Sequence, residues 1–394
     1  MTRARCTALA AATQAILVAL AGCSGGGGGA TTPRFAVGGV VSGLAGQGLV
    51  LRLNGGDALA IAANGPFAFP TRLPAGAAYS VSASAQPDGH LCTVASGSGT
   101  VSGADVTNVA VTCVVGRKLV ASDGTPSASF GGSLAASSDG STLVVGAHLA
   151  GGGAAYVYRW SGSGWDELKL TTADGAPDEW FGMSVATSAD GGLVVVGAPG
   201  ETVGLNARQG SARVFRWTGS SYVAEATLTA SDGAAQANFG SSLALTSDGT
   251  TLVAGARYDD GPTTTDQGAA YVFRWNGSSF EEATKLTASD GATWDNLGTS
   301  VAVSADGNTV VAGAPYHDVG ANGGQGTAYL YAWDGSTWNE TQLTASNGSG
   351  GEYFGRAVGM SADGATVAAG MPFHSTIPTI NHGSVYLYRD GGAG

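Results

Sequence analysis

Short runs of alternating apolar and polar residues, separated by glycine-containing turns, extend from Phe35 to Arg389. Alternation with a period of two is typical of strands that bury one face. The Asn-Gly and Asp-Gly pairs between the runs are typical of hairpin turns. The pattern therefore predicts an all-β protein in which the many glycines serve turns.

From about residue 117 the pattern repeats five times. Each copy has a Phe-Gly pair (Leu-Gly in the fourth), an Asp-Gly turn, a Val-rich strand ending in Gly, a polar loop and an aromatic strand. The Phe-Gly glycine and the glycine that ends the Val-rich strand are 15 residues apart in every copy. These pairs are Gly131 and Gly146, Gly182 and Gly197, Gly240 and Gly255, Gly298 and Gly313, and Gly355 and Gly370. A spacing kept five times indicates a structural repeat.

Each copy contains four strand-like runs, which in the third copy are residues 242–245, 251–254, 270–275 and 283–287. Four antiparallel strands per unit of about 50 to 58 residues are typical of a β-propeller blade. Because the aromatic strands alternate, we expect their rings to fill the space between neighbouring blades.

The predicted ring is expected to close by strand exchange. The last copy has three runs, ending near Arg389, whereas Lys118 to Ala121 resembles the fourth-strand sequence from Lys285 to Ala288. We therefore expect five four-stranded blades, with residues 118–121 paired beside residues 385–388. Such pairing removes an unpaired sheet edge.

Residues 35–115 form a separate module with about seven short predicted strands, which indicates a small immunoglobulin-like β-sandwich. It is expected to act as a spacer, and a dedicated binding module is the alternative. Because the chain carries an export signal, Cys92 and Cys113 are expected to form a disulfide, with free buried thiols as the alternative. The bridge would contribute roughly 3 kcal/mol by closing its loop.

Residues 1–22 have a basic start and an apolar run that is too short to span a bilayer, which is typical of a secretory signal. The ending Leu-Ala-Gly-Cys resembles a bacterial lipobox, which implies a lipid on Cys23; ordinary cleavage near Ala21 is the alternative. Ser24 then suggests sorting to the outer membrane. A Gly-rich linker is expected at residues 23–34, followed by the sandwich and by the propeller at residues 116–394.

Charge and composition narrow the classes of partner. The formal net charge is −12, so the chain as a whole does not present the positive surface of a nucleic-acid-binding protein. There is no H-E-x-x-H or G-x-S-x-G motif, and no nucleophile–base arrangement emerges. We therefore expect no enzymatic activity and assign no catalytic residue.

The repeats resemble FG-GAP repeats, the units of the integrin α-chain β-propeller. The resemblance rests on Phe-Gly or Leu-Gly followed by Gly-Ala, Gly-Ala-Pro or Gly-Met-Pro, and it covers roughly residues 118–389. Integrin propellers have seven blades and carry calcium loops with several Asp and Asn residues. Here each loop holds one carboxylate: Asp139, Asp190, Asp248, Asp306 or Asp363. Calcium needs six to eight oxygen ligands, so we interpret these as hairpin turns and expect no cofactor.

The resemblance also implies a ligand-binding face, formed by the loops after the Val-rich strand and before the Phe-Gly pair. Aromatic and acidic residues there suit sugars, peptides or cationic groups. Packing of the aromatic rings between loops, with solvated acids, is the alternative. A transition-metal site of His317 and His374 with Asp260 and Asp318 is a further hypothesis, against plain surface histidines. The candidate residues are Trp180, Glu201, Tyr258, Asp259, Asp260, Trp294, Tyr316, His317, Asp318, Phe373 and His374.

These patterns together predict an exported, lipid-anchored surface protein whose propeller binds a protein or glycan. The membrane is expected to be reached through the lipid alone. The alternatives are a structural envelope component without a specific ligand and an enzyme that uses the loop face.

Overall fold

The computed structural model describes residues 32–87, 89–172, 176, 178–375 and 381–389. The chain divides into two compact units, Met1–Leu119 and Val120–Gly394. The expected signal peptide and Cys23 lie outside the described residues. Within the described part of the chain, no helix is long and apolar enough to cross a membrane.

The first unit is built from ten strands in its described residues. They are β1 (Arg34–Phe35), β2 (Val37–Ser42), β3 (Leu49–Leu53), β4 (Asp57–Ile61), β5 (Gly65–Ala68), β6 (Leu73–Pro74), β7 (Ala78–Ala85), β8 (His90–Ala95), β9 (Ser98–Thr100) and β10 (Val106–Val115). Two four-stranded sheets have the orders β5-β2-β10-β8 and β4-β3-β7-β9, and β1 pairs with β6. The very short β1, β6 and β9 account for most of the difference from the seven strands expected.

The two sheets of the first unit share one apolar core. Val41 and Val111 from one sheet and Leu51 and Val81 from the other are buried in the same cluster. The predicted β-sandwich is thus confirmed. Apolar residues alternate with polar ones along β10, which explains why its inward side chains are buried and its outward ones exposed.

Cys92 and Cys113 form the expected disulfide. They are direct partners on the adjacent antiparallel strands β8 and β10, and both are buried. The bridge therefore fastens two strands of one sheet to each other.

The second unit consists of five sheets, which we call blades 1 to 5. Blade 1 contains β11 (Ser133–Ala136), β12 (Thr142–Ala147), β13 (Ala154–Trp160) and β14 (Trp165–Leu170). Blade 2 contains β15 (Ser184–Thr187), β16 (Leu193–Ala198), β17 (Ser211–Trp217) and β18 (Tyr222–Leu228). Blade 3 contains β19 (Phe239–Leu245), β20 (Thr251–Ala256), β21 (Ala269–Trp275) and β22 (Phe280–Leu286). Blade 4 contains β23 (Ser300–Val303), β24 (Thr309–Ala314), β25 (Thr327–Trp333) and β26 (Trp338–Leu343), and blade 5 contains β27 (Ala357–Met360), β28 (Thr366–Met371) and β29 (Ser384–Arg389).

Each blade is an antiparallel meander in which strands pair in chain order. The Asp-Gly turns join the first two strands, and their carboxylates hydrogen-bond inside the turn. Asp139 accepts from the Ser137 hydroxyl at 2.6 Å and from the Ser141 backbone N–H at 2.9 Å. These hydrogen bonds lower the pKa of Asp139 to about 2.

The conserved spacing of 15 residues within each copy follows from the way blades meet. Within blade 2 the Gly182 N–H donates to the Gly197 carbonyl at 2.9 Å, so the two glycines face each other across one hairpin. The Gly182 carbonyl in turn lies so close to Gly146 of blade 1 that a Cβ on Gly146 would come within 2.0 Å of it. The same approach recurs from Gly240 to Gly197, from Gly298 to Gly255 and from Gly355 to Gly313. Glycine is therefore required at these junctions by close backbone approach.

The aromatic side chains fill the space between blades, as expected. The Phe239 ring lies 5.5 Å from Tyr271 and 5.8 Å from Phe273, and all three belong to a buried cluster with Val195 and Val214 of blade 2. Equivalent clusters join the other consecutive blades. Apolar burial between repeats, with each blade covering its neighbour, holds the array together.

The expected ring closure by residues 118–121 is wrong. These residues form no strand, and the sheet of blade 5 contains three strands in the described chain. Val120 instead lies on blade 1, where its carbonyl accepts from the Tyr158 hydroxyl at 2.9 Å. Ser122 donates to Glu167, as Ser231 of a later copy donates to Glu282. The similarity to later copies therefore reflects docking onto the following blade, which needs the same Leu-x-Ala-Ser-Asp residues.

Blades 1 and 5 each leave one apolar face exposed. Leu134 on β11 is 63% exposed, whereas the corresponding Val185 in blade 2 is buried. Leu387 on β29 is 72% exposed, whereas Val272 at the same position of blade 3 is fully buried. Described residues of the innermost strands β11 and β27 make no contact comparable to that between consecutive blades. The five blades thus follow one another without blade 5 covering blade 1.

Candidate functional site

Two sets of loops lie at one end of the blades. In an antiparallel meander, the connection from the second to the third strand and the connection into the next blade emerge at the same end. Isolated bridges join them, pairing Gly210 with Phe239 and Gly268 with Leu297. This end is the loop face that the sequence singled out.

A cleft of about 450 Å³ opens on the loop face between blades 3 and 4. Its walls combine three aromatic rings with carboxylates, and this volume suits a small ligand or a side chain of a partner. The lining residues are Tyr258, Asp266, Ala292, Thr293, Trp294, Asp295, Asn296, Tyr316 and Asp318. The structure thus brings together four of the sequence-predicted candidates, Tyr258, Trp294, Tyr316 and Asp318.

Trp294 is held at the cleft by its backbone and is 66% exposed. Its φ angle is 71°, a left-handed conformation that bulky residues adopt at an energetic cost. The Trp294 N–H donates to the Thr265 carbonyl at 2.9 Å, and two residues later the Asn296 side chain donates to the Asp266 carbonyl at 3.0 Å. The blade 3 loop therefore fixes a strained segment that presents an indole ring to solvent.

Aromatic rings continue from the cleft across blades 4 and 5. The Tyr316 ring lies 5.0 Å from Tyr353, which lies 5.5 Å from Phe373. Tyr316 and Phe373 are both exposed. We call these residues the aromatic row: Tyr258, Trp294, Tyr316, Tyr353 and Phe373.

Trp180 stands apart from the aromatic row, on the loop that leads into blade 2. The Arg208 guanidinium lies 5.0 Å from the centre of its ring. Trp180 also has a positive φ angle, 54°, as do the residues that directly precede the Phe-Gly or Leu-Gly pair in the other copies. It is a partly buried loop residue that pairs with a cation of its own chain.

Two of the predicted acids brace their own loops. Asp260 accepts from the Asp266 N–H at 2.9 Å, and Asp318 accepts from the Gly324 N–H at 2.7 Å. Both side chains remain exposed. Burial raises the pKa of the Asp266 carboxyl, and the charge of Asp260 raises it further.

Four other candidates face into the blades, which corrects their assignment to an open ligand surface. Asp259, His317 and His374 are buried, and the Glu201 side chain is 14% exposed. These residues occupy one repeat position, directly after the residue at Tyr258, Tyr316 or Phe373. Alternation turns this position inward when its neighbour points outward, so its polar group bonds the third strand of the same blade.

Each of these buried positions has its own polar partner. Lys285 donates to Asp259 at 2.6 Å and to Asp232 at 2.7 Å, while Arg213 donates to Glu201 at 2.7 Å. Burial alone would lower the pKa of Lys285, but its bonds to the two aspartates outweigh burial and raise it.

The two histidines form separate pairs. His317 Nδ1 lies 2.8 Å from Asp295, and His374 Nδ1 lies 3.1 Å from Glu352. Burial lowers the pKa of His317, but the hydrogen bond and charge of Asp295, with the charges of Asp290 and Asp318, raise it overall. In the residues that the structure describes, no three or more His, Cys, Asp or Glu side chains are grouped to hold a metal ion.

Sequence reasoning missed Asp266 and Lys285. Asp266 stands two residues before Gly268, and counting backwards from that glycine would have placed it beside the next blade. Lys285 lies in a fourth strand, where its alternating position turns it towards the preceding strand's tyrosine, Tyr271. Tyr353 was noted with the second loop set, and the structure makes it the link between Tyr316 and Phe373.

Comparison with known proteins agrees with this architecture. No curated protein matches the chain. Among solved structures, the chain is similar to hydrazine synthase from Kuenenia stuttgartiensis, with 16% identity, a TM-score of 0.42 and coverage of 61% of each chain. It therefore spans about three fifths of the length of that structure.

The description "FG-GAP repeat" matches the chain at residues 115–158, 165–215, 222–273, 280–331 and 338–388. Each match begins with a fourth strand or its equivalent and ends on the third strand of the next blade. The matches together cover more than half of the chain and all five blades. The chain belongs to the FG-GAP repeat family.

Proposed function

We propose that the propeller is a non-catalytic recognition module that binds a protein or glycan partner through its loop face. The observation that carries the proposal is the aromatic row, in which exposed rings extend over blades 3 to 5. Exposed aromatic groups on a rigid scaffold are characteristic of binding surfaces, because they lose much water-accessible apolar area on contact.

The construction of the row supports binding over simple loop packing. Trp294 combines a left-handed backbone with a ring that remains 66% exposed. A residue that only filled space between loops would be buried by them. Strained residues persist where the surrounding structure fixes them, and they concentrate at binding sites.

The proposal places the protein outside the cytoplasm, on the outer membrane or cell surface, with a lipid on Cys23 as its anchor. The support is the Leu-Ala-Gly-Cys sequence after the short apolar run. Stable attachment would need more than one acyl chain. Labelled palmitate should enter the wild-type chain, and labelling that persists in Cys23→Ala would refute the anchor.

The test of recognition is binding of the full chain to glycan and protein arrays and to intact cells. We expect a partner whose signal is lost in Trp294→Gly, because glycine adopts the positive φ angle without strain while the ring is removed. Trp160→Ala is the matched control, since Trp160 is an exposed tryptophan at the opposite end of blade 1. A purely structural envelope protein would show no partner dependent on Trp294.

A further inference from the structure

We propose that the cleft between blades 3 and 4 binds an organic cation, an alkylated ammonium group in particular. This inference rests on the proposed recognition function and names the chemistry of the group that enters the cleft. It follows from the composition of the walls, the distribution of charge and the state of the hydrogen-bonding groups.

The walls present aromatic faces from both blades. Tyr258 comes from the blade 3 loop, Trp294 from the segment that leads into blade 4, and Tyr316 from the blade 4 loop. Aromatic faces attract cations through their negative ring quadrupoles, and a tryptophan face is the strongest of the three types. Several rings around one space are suited to the methyl groups of an alkylated ammonium, which bury apolar area and carry charge at once.

The charge in the cleft is negative and lacks a balancing cation from the protein. Asp266 and Asp318 line it from two different loops, and Asp260 contacts the Asp266 backbone. Among the described residues, no lysine or arginine forms an ion pair with any of these three aspartates. The neighbouring acidic site in blade 3 differs, because Lys285 neutralises Asp259 and Asp232 there.

The hydrogen-bonding groups of the lining residues are largely engaged within the protein. Asn296 donates its side-chain amide to the Asp266 carbonyl, and Thr293 accepts from the Thr265 N–H. Asp295 accepts from the Ala292 N–H and pairs with His317. A neutral sugar needs several free donors and acceptors at fixed positions, whereas an alkylated ammonium needs only aromatic faces and diffuse negative charge. The cleft therefore fits the cation better.

The test uses choline and its uncharged isostere 3,3-dimethylbutan-1-ol, titrated into the full chain by calorimetry. We expect choline to bind at one site with a Kd of roughly 0.1–10 mM. The isostere should bind about 5- to 30-fold more weakly, because it lacks the charge that the rings attract. Choline binding should also weaken as the salt concentration rises.

Variants locate the site. Tyr316→Leu removes an aromatic face but keeps an apolar side chain and should weaken choline about 5- to 30-fold. Asp266→Asn combined with Asp318→Asn should weaken choline and leave the isostere unchanged. Trp160→Ala should change neither, and equal melting temperatures will confirm that each variant is folded.

Equal binding of choline and the isostere, or no choline binding up to about 50 mM, would overturn the proposal. So would tighter binding of a neutral sugar at Trp294. Array binding that depends on Trp294 in a chain that ignores choline would leave the recognition function standing without the cation. Choline binding without any array partner would leave the cation site standing and remove the macromolecular partner.

Discussion

The Ser184 hydroxyl donates a hydrogen bond of 2.7 Å to the Gly240 carbonyl and thereby joins blade 2 to blade 3. Ser133, Ser242 and Ser300 make the same bond to Gly182, Gly298 and Gly355 of the following blades. In blade 5 the equivalent residue is Ala357. The junctions therefore have a direction, with a hydroxyl from each blade reaching the next.

Replacing this serine should weaken one junction. Ser184→Ala is expected to lower the free energy of unfolding by about 1 kcal/mol, the usual net value of a buried hydrogen bond. Ala357→Ser is the control, because no following blade among the described residues offers it an acceptor, and it should leave stability unchanged. Chemical denaturation of both variants checks the prediction, and equal stabilities would contradict the role of the bond.

The glycine that ends the Val-rich strand should tolerate no side chain where another blade follows. A Cβ at Gly197 would lie 2.1 Å from the Gly240 carbonyl oxygen, so Gly197→Ala should destabilise by about 3 kcal/mol or prevent folding. At Gly370 the nearest atom to a Cβ is the Ala357 oxygen at 3.6 Å, and Gly370→Ala should be tolerated. Thermal melting of the pair tests this, and similar losses at both sites would show that the junction is not the cause.

Position 294 should prefer glycine to alanine. Trp294 has a φ angle of 71°, and the equivalent residue of the next copy is Gly351, with a φ angle of 77°. Trp294→Gly should therefore be more stable than Trp294→Ala by about 1 kcal/mol, although both lack the ring. Denaturation curves of the two variants measure the difference. The opposite order would mean that the backbone at this site relaxes.

His317 should stabilise the propeller more at low pH than at high pH. Its folded-state pKa is raised above the ordinary value of 6.5, so its contribution is fully present below that value and is lost as pH rises through the raised pKa. The stability advantage of wild type over His317→Gln should therefore be larger at about pH 5.5 than at about pH 8.5. An NMR titration of the imidazole gives the pKa directly, and a value below 6.5 would contradict the prediction.

Loss of the disulfide should destabilise the first unit. Cys92 and Cys113 are 21 residues apart in sequence, and a loop of this size corresponds to roughly 3 kcal/mol of stabilisation. Calorimetry of the Cys92→Ser, Cys113→Ser double variant should show an unfolding transition at lower temperature. Reductant should have the same effect on wild type and none on the double variant; a wild type that is insensitive to reductant would be inconsistent with the bridge.

Much of the fold could be predicted because its signals are local. Alternation gave the strands, and the invariant distance from Gly182 to Gly197 gave the blade, since both glycines lie across one hairpin. The relation of residues 118–121 to blade 5 could not be predicted. A fourth-strand sequence also carries the Ala-Ser-Asp that docks on the following blade, and only the structure shows that docking alone is used.

The candidate site was predicted in part for a similar reason. The loop face and Tyr258, Trp294 and Tyr316 follow from repeat alignment. Alignment does not show which of two adjacent loop residues points outward, so His317 and Asp259 were assigned to the surface although they are buried. The contact of Asp266 with the next blade depends on the path of a loop of 12 residues between Ala256 and Ala269, which no periodic pattern describes.

The offset between the family repeat and the blade bears on how such arrays change length. Removing one period, residues 222–279, would place β22 directly after the hairpin of β17 and complete its sheet with an equivalent strand. The cut falls within hairpins at both ends, so neither neighbour would lose a strand. A gene that gains or loses repeats in this phase therefore gains or loses whole blades, and every intermediate length remains a set of intact sheets.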